Sequence, residues 1–537
     1  MYYIITLLLE VKINSEDKKK LKKARLKNPM AVVDVGSSFI RLLIGQDNGM
    51  GGIDILDDLS KPTGIGRDTF SSQKINAPAM QQACEILKGY SKVMREYHIT
   101  DYRAVATSGL REAINKEYAI ERFKQSAGID VEIINNAQER FFIYKALTQN
   151  LKNFDRLQAE GALVITIGSG GLGISLYIEK RLAFREYFKL GSLRLWESIA
   201  DMERSAVDVP KIMDEFLESK IYSIRSAIET IRPKHFIALG GEISTICSIT
   251  GECEHLETGR ILKKSTLLNL AEKIKKTQAD EMIELHSITR NEFEILFPSV
   301  IILSKILHLT DASAILIPEA TLRHGMIVDL ADDLLSRPGR EVFLKDILKS
   351  VWHLAKKFDA DIEHCEKVRE ISLKIFDSTQ KTHKMGTRER FFVEVASILH
   401  DVGRYINVNQ HEEQSYHIIK ATEILGFSDI DIDIVANMAR YHSNRTPVAR
   451  DNGYQRLGVE EKIVVSKGAA ILKLAEAMDT THKDYIDRFS VEFRQGKYNF
   501  IIESIADTAL EEWNFNNAAV FFEDVLGVPA IFVQKGW

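Results

Sequence analysis

Two segments of this chain share one design, an apolar strand, a tight turn of glycine and serine, and a second apolar strand. The first covers residues 30–45 (MAVVDVGSSFIRLLIG), and the second covers residues 161–178 (GALVITIGSGGLGISLYI). They begin about 130 residues apart. Repetition of one supersecondary unit within a chain indicates a duplicated architecture.

The segments between and after these hairpins alternate in type. An amphipathic helix is predicted near 78–97, a strand near 102–107 and a helix near 115–128. A long helical stretch at 207–231 then precedes an apolar strand, 235–241, that ends in glycine. This order is typical of an α/β fold.

The pattern of apolar residues changes at two places. Near residue 340 a helical periodicity replaces the strand pattern, and near residue 486 the period-2 alternation of strands returns. We therefore predict an N-terminal extension (1–29), two α/β domains (30–148 and 149–335), an all-α domain (336–485) and a small C-terminal α+β domain (486–537).

Composition excludes several classes of protein. The 537 residues carry a formal net charge of −5, so no global charge points to nucleic acid. The apolar run Tyr2–Val11 is too short to span a bilayer, so no membrane partner is expected. Four scattered cysteines give no disulfide framework and indicate a reducing, cytoplasmic compartment; they are Cys84, Cys247, Cys253 and Cys365.

The glycine turns have a composition that favours phosphate binding. Glycine allows a sharp turn that exposes consecutive amide N–H groups, and such a concavity binds anions. Ser37 and Ser38 add hydroxyl donors, and Asp34 could hold a divalent cation on the phosphate. A third glycine turn lies at Gly240-Gly241.

Five short segments carry a family resemblance. They lie in the family's order across about residues 30–330, at 34–41 (DVGSSFIR), 106–113 (ATSGLREA), 131–140 (VEIINNAQER), 190–194 (LGSLR) and 322–325 (LRHG). They resemble the motifs of the Ppx/GppA family of exopolyphosphatases and guanosine pentaphosphate phosphohydrolases, in its long form.

The resemblance implies two actin/Hsp70-like (ribonuclease H-like) domains, an all-α HD domain and a small α+β domain. It implies release of terminal phosphate from inorganic polyphosphate or pppGpp, a role in the stringent response, and a homodimer. Glu139 matches the catalytic glutamate, which would act as general base on a water molecule. The implied phosphate-binding residues are Gly36, Ser37, Ser38, Arg41, Thr107, Ser108, Arg111, Gly168, Ser169, Gly170, Gly171, Gly240 and Gly241.

The second and third turns depart from the family pattern. Thr166 and Gly173 stand where the family has carboxylates, and Glu242 stands where it usually has threonine. Two outcomes follow. In the first, the two α/β domains release phosphate by hydrolysis, and Asp34 or Glu242 holds the cation, Mg²⁺ or Mn²⁺. In the second, these domains only bind polyphosphate or a nucleotide and act as a sensor.

A second constellation lies in the helical region. Its segments resemble the HD superfamily, and the implied metal ligands are His364, His400, Asp401 and Asp479, with His411 and His442 as auxiliary residues. Imidazoles and carboxylates together suit Mg²⁺ or a divalent first-row metal such as Mn²⁺, and that ion could bind a phosphate and generate a hydroxide nucleophile. A metal-dependent phosphohydrolase centred on this domain is therefore the alternative function.

Overall fold

The computed structural model describes residues 29–200, 209–335, 337 and 339–534. Nearly all of the predicted N-terminal extension lies outside these residues. The chain forms two compact units, divided between Arg340 and Glu341.

The first unit begins with a five-stranded sheet of order β3-β2-β1-β4-β5. Its strands are β1 (Met30–Val35), β2 (Phe39–Asp47), β3 (Ile53–Pro62), β4 (Tyr102–Ala106) and β5 (Glu132–Ile133). β1 is antiparallel to β2 and parallel to β4. Gly36 N donates to Phe39 O at 3.0 Å and closes the β1–β2 turn. β1 is buried along its whole length, which places this turn at the end of a rigid central strand.

A seven-stranded sheet follows, of order β10-β11-β12-β9-β6-β7-β8. Its strands are β6 (Ala162–Ile167), β7 (Leu172–Ile178), β8 (Arg181–Phe188), β9 (His235–Leu239), β10 (Glu254–Leu256), β11 (Gly259–Lys263) and β12 (Ala314–Pro318). β6 pairs antiparallel with β7 and parallel with β9, as β1 does with β2 and β4. Both predicted strand–turn–strand units are therefore present in equivalent positions.

Helices cover the two sheets. They are Ile65–Ser72, Ala77–Glu96, Ser108–Arg111, Lys116–Ala127, Asn136–Asn150, Phe154–Glu160, Ser192–Ala200, Val209–Ile231, Gly241–Thr250, Lys264–Lys276, Ala279–His286, Arg290–His308 and Leu322–Leu335. A large apolar core joins β6 and β7 to the helices that flank them. Burial of such apolar faces is the main favourable term that holds sheet and helix together.

One feature of this unit departs from the sequence prediction. A disulfide joins Cys247 and Cys253 across the end of the helix Gly241–Thr250. The scattered cysteines were predicted to form no such bond. Gly251 lies between them with φ of +62°, and this turn brings two thiols six positions apart together.

The second unit is helical and ends in a small sheet. Its helices are Gly339–Lys357, which contains the division between units, Ile362–His383, Thr387–Leu399, His411–Lys420, Asp429–Arg440, Val459–Ala477 and Ala509–Leu526. The sheet has the order β13 (Arg488–Arg494), β14 (Lys497–Glu503), β15 (Ala530–Gln534). Among the described residues, no helix is long and apolar enough to cross a bilayer.

Candidate functional site

A cavity of about 200 Å³ lies in the first unit, where the β1–β2 turn, the β6–β7 turn and the end of β9 meet. Its walls include most of the predicted site residues, namely Asp34, Gly36, Ser37, Ser38, Arg41, Thr107, Ser108, Glu139, Gly168, Ser169, Gly170, Gly171 and Gly240. The fold therefore brings residues from both repeats to one place. Arg111 is a predicted site residue that does not line this cavity. The surroundings of Gly241 and the side chain of Glu242, which were also predicted to take part, lie outside the described part of the structure.

The two glycine turns touch each other. Ser38 Oγ donates to Ser169 Oγ at 2.7 Å, and Ser37 Oγ lies 3.1 Å from Ser108 Oγ. A Cβ on Gly170 would lie 2.2 Å from Ser108 Oγ, so only glycine fits there. Hydroxyl and amide donors from both repeats thus converge on one small space, which is the arrangement that phosphate oxygens require.

Glu139 stands in the first turn of the helix Asn136–Asn150. Asn135 caps that helix by accepting from Gln138 N at 2.9 Å, and the Gln138 side chain accepts from Asn135 N at 3.0 Å. This reciprocal cap fixes where the helix begins and therefore where Glu139 points. Burial raises the pKa of Glu139, Arg111 opposes the shift, and the Asp34 carboxylate adds to it.

Arg111 lies beside Glu139 rather than in the cavity wall. Its Nη1 is 3.9 Å from Glu139 Oε2, and its Nη2 donates to Asn136 Oδ1 at 2.6 Å. Nη1 also donates to the Ile134 carbonyl. These partners hold the guanidinium where its positive charge can stabilise the ionised carboxylate of Glu139.

Asp34 has the environment of a cation ligand. It is buried, and its Oδ2 lies 3.6 Å from Arg41 Nη1. Its Oδ1 has no hydrogen-bond partner among the residues that the structure describes. Burial raises the pKa of this carboxyl, with Arg41 and Arg323 opposing the shift. A buried carboxylate oxygen with no donor fits a hard divalent cation.

The second turn supplies no carboxylate. Thr166 and Gly173 face each other across β6 and β7, and a Cβ at position 173 would lie 2.4 Å from Thr166 Oγ1. Tyr187 pairs with Gly173 from the neighbouring strand β8 and lines the cavity. Sequence reasoning missed Tyr187, since no motif contains it and only the register of β7 with β8 places it here.

Comparison with known proteins decides the family. Residues 46–334, more than half of the chain, match the model of the Ppx/GppA phosphatase family. The chain belongs to the Ppx/GppA phosphatase family. Residues 348–519 match a second model, Ppx/GppA phosphatase, domain III. Members of this family are phosphatases, and they generally depend on divalent metal.

Named relatives are distant. A guanosine-5'-triphosphate,3'-diphosphate pyrophosphatase of Photobacterium profundum is 19% identical over 418 residues, 76% of this chain and 79% of the relative. The enzyme of that name from Vibrio atlanticus is 20% identical over 405 residues, 74% and 77% of the two chains. An exopolyphosphatase structure from Cytophaga hutchinsonii aligns at a TM-score of 0.50 and 22% identity, covering 57% of this chain and 98% of that one. That alignment shows the shared fold.

The helical unit of this Ppx/GppA protein holds a second cluster. His364 Nε2 lies 3.2 Å from His400 Nε2, and Glu476 Oε2 lies 3.1 Å from both nitrogens. Asp401 Oδ2 lies 3.9 Å from His364 Nε2. Imidazole nitrogens and carboxylate oxygens this close together can share a divalent metal ion.

His411 and His442 extend this cluster. Their Nε2 atoms lie 3.1 Å apart and 3.3 and 3.6 Å, respectively, from Asp401 Oδ1. That oxygen is buried, with no hydrogen-bond partner among the described residues. Burial, then the neighbouring His400, lowers the pKa of His442 to about 3, so its imidazole is neutral at pH 7. Neutral imidazole is the form that binds metals.

Backbone carbonyls fix three of these imidazoles. The Nδ1 atoms of His400, His411 and His442 donate to carbonyl oxygens three residues earlier, at 2.7, 3.0 and 2.6 Å. In a neutral imidazole, a proton held on Nδ1 by the carbonyl leaves Nε2 as the nitrogen with a free lone pair, and each Nε2 is turned toward the cluster. A metal ligand commonly has its other ring nitrogen fixed in this way.

Asp479, the fourth predicted ligand, has a different place. Its Oδ2 lies 2.7 Å from Nδ1 of His364, on the side of the ring away from His400. Glu476, one helical turn earlier, takes the inner position. The three-residue spacing of Glu476 and Asp479 could have suggested both, but only the packed helices show which of the two faces the imidazoles.

Proposed function

We propose that the cavity of the first unit is a phosphohydrolase site that releases the terminal phosphate of inorganic polyphosphate or of pppGpp. The observation that carries this proposal is the position of Glu139. Its carboxylate faces the space where the two glycine turns present their amides and hydroxyls. A base and a phosphate cradle in one cavity are the two parts that hydrolysis of a phosphoanhydride requires.

In this mechanism the donors of the two turns hold the terminal phosphoryl group. Glu139 accepts a proton from a water molecule as that oxygen attacks the phosphorus, and the bond to the bridging oxygen breaks. The products are orthophosphate and a chain shorter by one phosphate. Asp34 would hold a divalent cation, Mg²⁺ or Mn²⁺, which neutralises phosphate charge when bound.

The substrate proposal rests on shared chemistry. The named relatives are a guanosine-5'-triphosphate,3'-diphosphate pyrophosphatase and an exopolyphosphatase. The substrates that these two names indicate, pppGpp and inorganic polyphosphate, both present a terminal phosphate on a phosphoanhydride chain. The donors of the two turns suit that common end, and the purified protein is therefore to be offered both.

The test is phosphate release by the purified protein from polyphosphate and from pppGpp, with Mg²⁺ or Mn²⁺. Glu139→Gln removes the base and keeps its size, so release is expected to fall by about 100-fold or more. Glu117→Gln is the matched control, because Glu117 also lies in the first turn of a helix but is exposed. Equal loss in both variants, or none in Glu139→Gln, contradicts the assignment.

The histidine and carboxylate cluster supports a second candidate. In this alternative the helical unit is an HD-type, metal-dependent phosphohydrolase, in which His364, His400, Asp401 and Glu476 hold the ion and Asp479 orients His364. Metal content of the purified protein, measured by mass spectrometry with and without Asp401→Ala, tests the ion independently of turnover. An unchanged metal content in the variant contradicts this site.

A non-catalytic sensor is the remaining alternative for the first unit. It predicts binding of polyphosphate or pppGpp without phosphate release under either metal.

Light scattering of the same preparation tests the proposed homodimer.

A further inference from the structure

Tyr187 occupies a position that no motif assigns. It lies on β8 opposite Gly173 of β7, and residues paired in this way project their side chains from the same face of a sheet. Glycine at 173 has no side chain, which leaves this face of β7 open. The ring of Tyr187 lies on the side of the cavity next to Gly173, the position at which the family pattern has a carboxylate.

The phenol lies directly against the glycine turn. A Cβ on Gly171 would lie 2.0 Å from the Tyr187 hydroxyl and 2.3 Å from the ring carbon that carries it. Gly191 packs against the same turn from behind, since a Cβ there would lie 2.3 Å from Gly171 N. The second turn and the phenol therefore form one wall of the cavity.

The hydroxyl is an available donor. Among the described residues it has no hydrogen-bond partner, although Tyr187 lines the cavity together with Glu139. Burial, and then the charge of Glu139, raises the pKa of Tyr187 to about 12. The hydroxyl thus keeps its proton at any pH at which the protein is expected to work.

We propose that Tyr187 donates a hydrogen bond to a non-bridging oxygen of the terminal phosphoryl group bound in this cavity. This inference rests on the proposed phosphate site but adds a residue to it. The second turn has Thr166 and Gly173 where the family pattern has carboxylates, so it offers no anionic ligand for a cation. A neutral phenol at the same wall can donate to a phosphate oxygen without a metal, which makes it a binding residue of this site.

Tyr187→Phe removes the hydroxyl and keeps the ring that packs on Gly171. A hydrogen bond to a charged group contributes enough that its loss weakens binding by about 10- to 100-fold. Tripolyphosphate affinity, measured by calorimetry without turnover, is expected to fall by that factor. Tyr102→Phe is the matched control, because Tyr102 does not line the cavity. Its hydroxyl makes two long contacts at the surface, donating to Gly128 O at 3.4 Å and accepting from Asp130 N at 3.3 Å.

A second measurement distinguishes loss of the hydroxyl from a folding defect in the variant. Tripolyphosphate is expected to change the ultraviolet absorption of the wild-type phenols, and this difference signal is expected to disappear in Tyr187→Phe but not in Tyr102→Phe. If tripolyphosphate binds but no phosphate is released once Mg²⁺ or Mn²⁺ is added, that result contradicts the proposed function alone, and the contribution of Tyr187 to binding is still measured. Equal affinity and an equal difference signal in wild type and Tyr187→Phe overturn the proposal.

Discussion

Replacement of Arg111 by glutamine is expected to move the acid limb of the activity profile to higher pH. Glu139 must be ionised to accept a proton, and its pKa is already raised by burial above the ordinary value of 4.5. The Arg111 guanidinium favours the ionised form. Loss of that positive charge therefore raises the pKa further, so that more of the enzyme is protonated and inactive in weak acid.

The magnitude follows from the distance. Arg111 Nη1 and Glu139 Oε2 are 3.9 Å apart, and their side chains are only 17% and 29% exposed. Unit charges at that separation interact by about 1 kcal/mol in bulk water and about 4 kcal/mol at an effective dielectric constant of about 20. A pKa unit corresponds to about 1.4 kcal/mol, so the expected rise is about 0.7 to 3 units.

The assay is kcat/KM for phosphate release as a function of pH, because that quantity reports the ionisations of the free enzyme. Arg122→Gln is the control, since Arg122 is an exposed residue of the same domain. An acid limb that stays in place or moves to lower pH in Arg111→Gln, while Arg122→Gln matches wild type, refutes the electrostatic role of Arg111.

Three further predictions concern packing and metal. Gly170→Ala places a Cβ 2.2 Å from a serine hydroxyl and should cost about 1–3 kcal/mol of unfolding free energy together with most phosphate release, measured by urea titration and by the release assay. Lys145→Met removes a buried ammonium that lies 2.7 Å from both Asp329 and Asp332, and should cost about 3–5 kcal/mol in urea unfolding although Asp329 keeps its pair with Arg103. The exposed Lys152→Met should cost less than about 1 kcal/mol; equal costs would contradict this reasoning. Glu476→Gln should lower the Mn²⁺ affinity of the protein more than Asp479→Asn, as measured by calorimetry, and the reverse order would make Asp479 the ligand.

Features set by local signals were predictable from sequence. The strand–turn–strand units around Gly36 and Gly170 combine strong apolar runs with glycines that admit close approach, so both appear where expected. The motif predicted Glu139 as a site residue, and this side chain lines the cavity. The cap by Asn135 and Gln138, which orients it, also lies within that short segment.

Features set by tertiary packing were not predictable. Tyr187 enters the cavity because of the β7–β8 register, and Glu476 faces the imidazoles because helices distant in sequence meet there. Arg111 was expected to contact phosphate, yet it is positioned beside Glu139 by partners near the helix start. Such outcomes depend on distances between elements, which motifs do not encode.

The most direct test of the account compares phosphate release from polyphosphate and pppGpp by Glu139→Gln and by Asp401→Ala, side by side. The cavity of the first unit is predicted to carry the chemistry. Release should therefore be lost in Glu139→Gln and should persist in Asp401→Ala. Release that persists in Glu139→Gln and disappears in Asp401→Ala would contradict that claim and place the reaction in the helical unit.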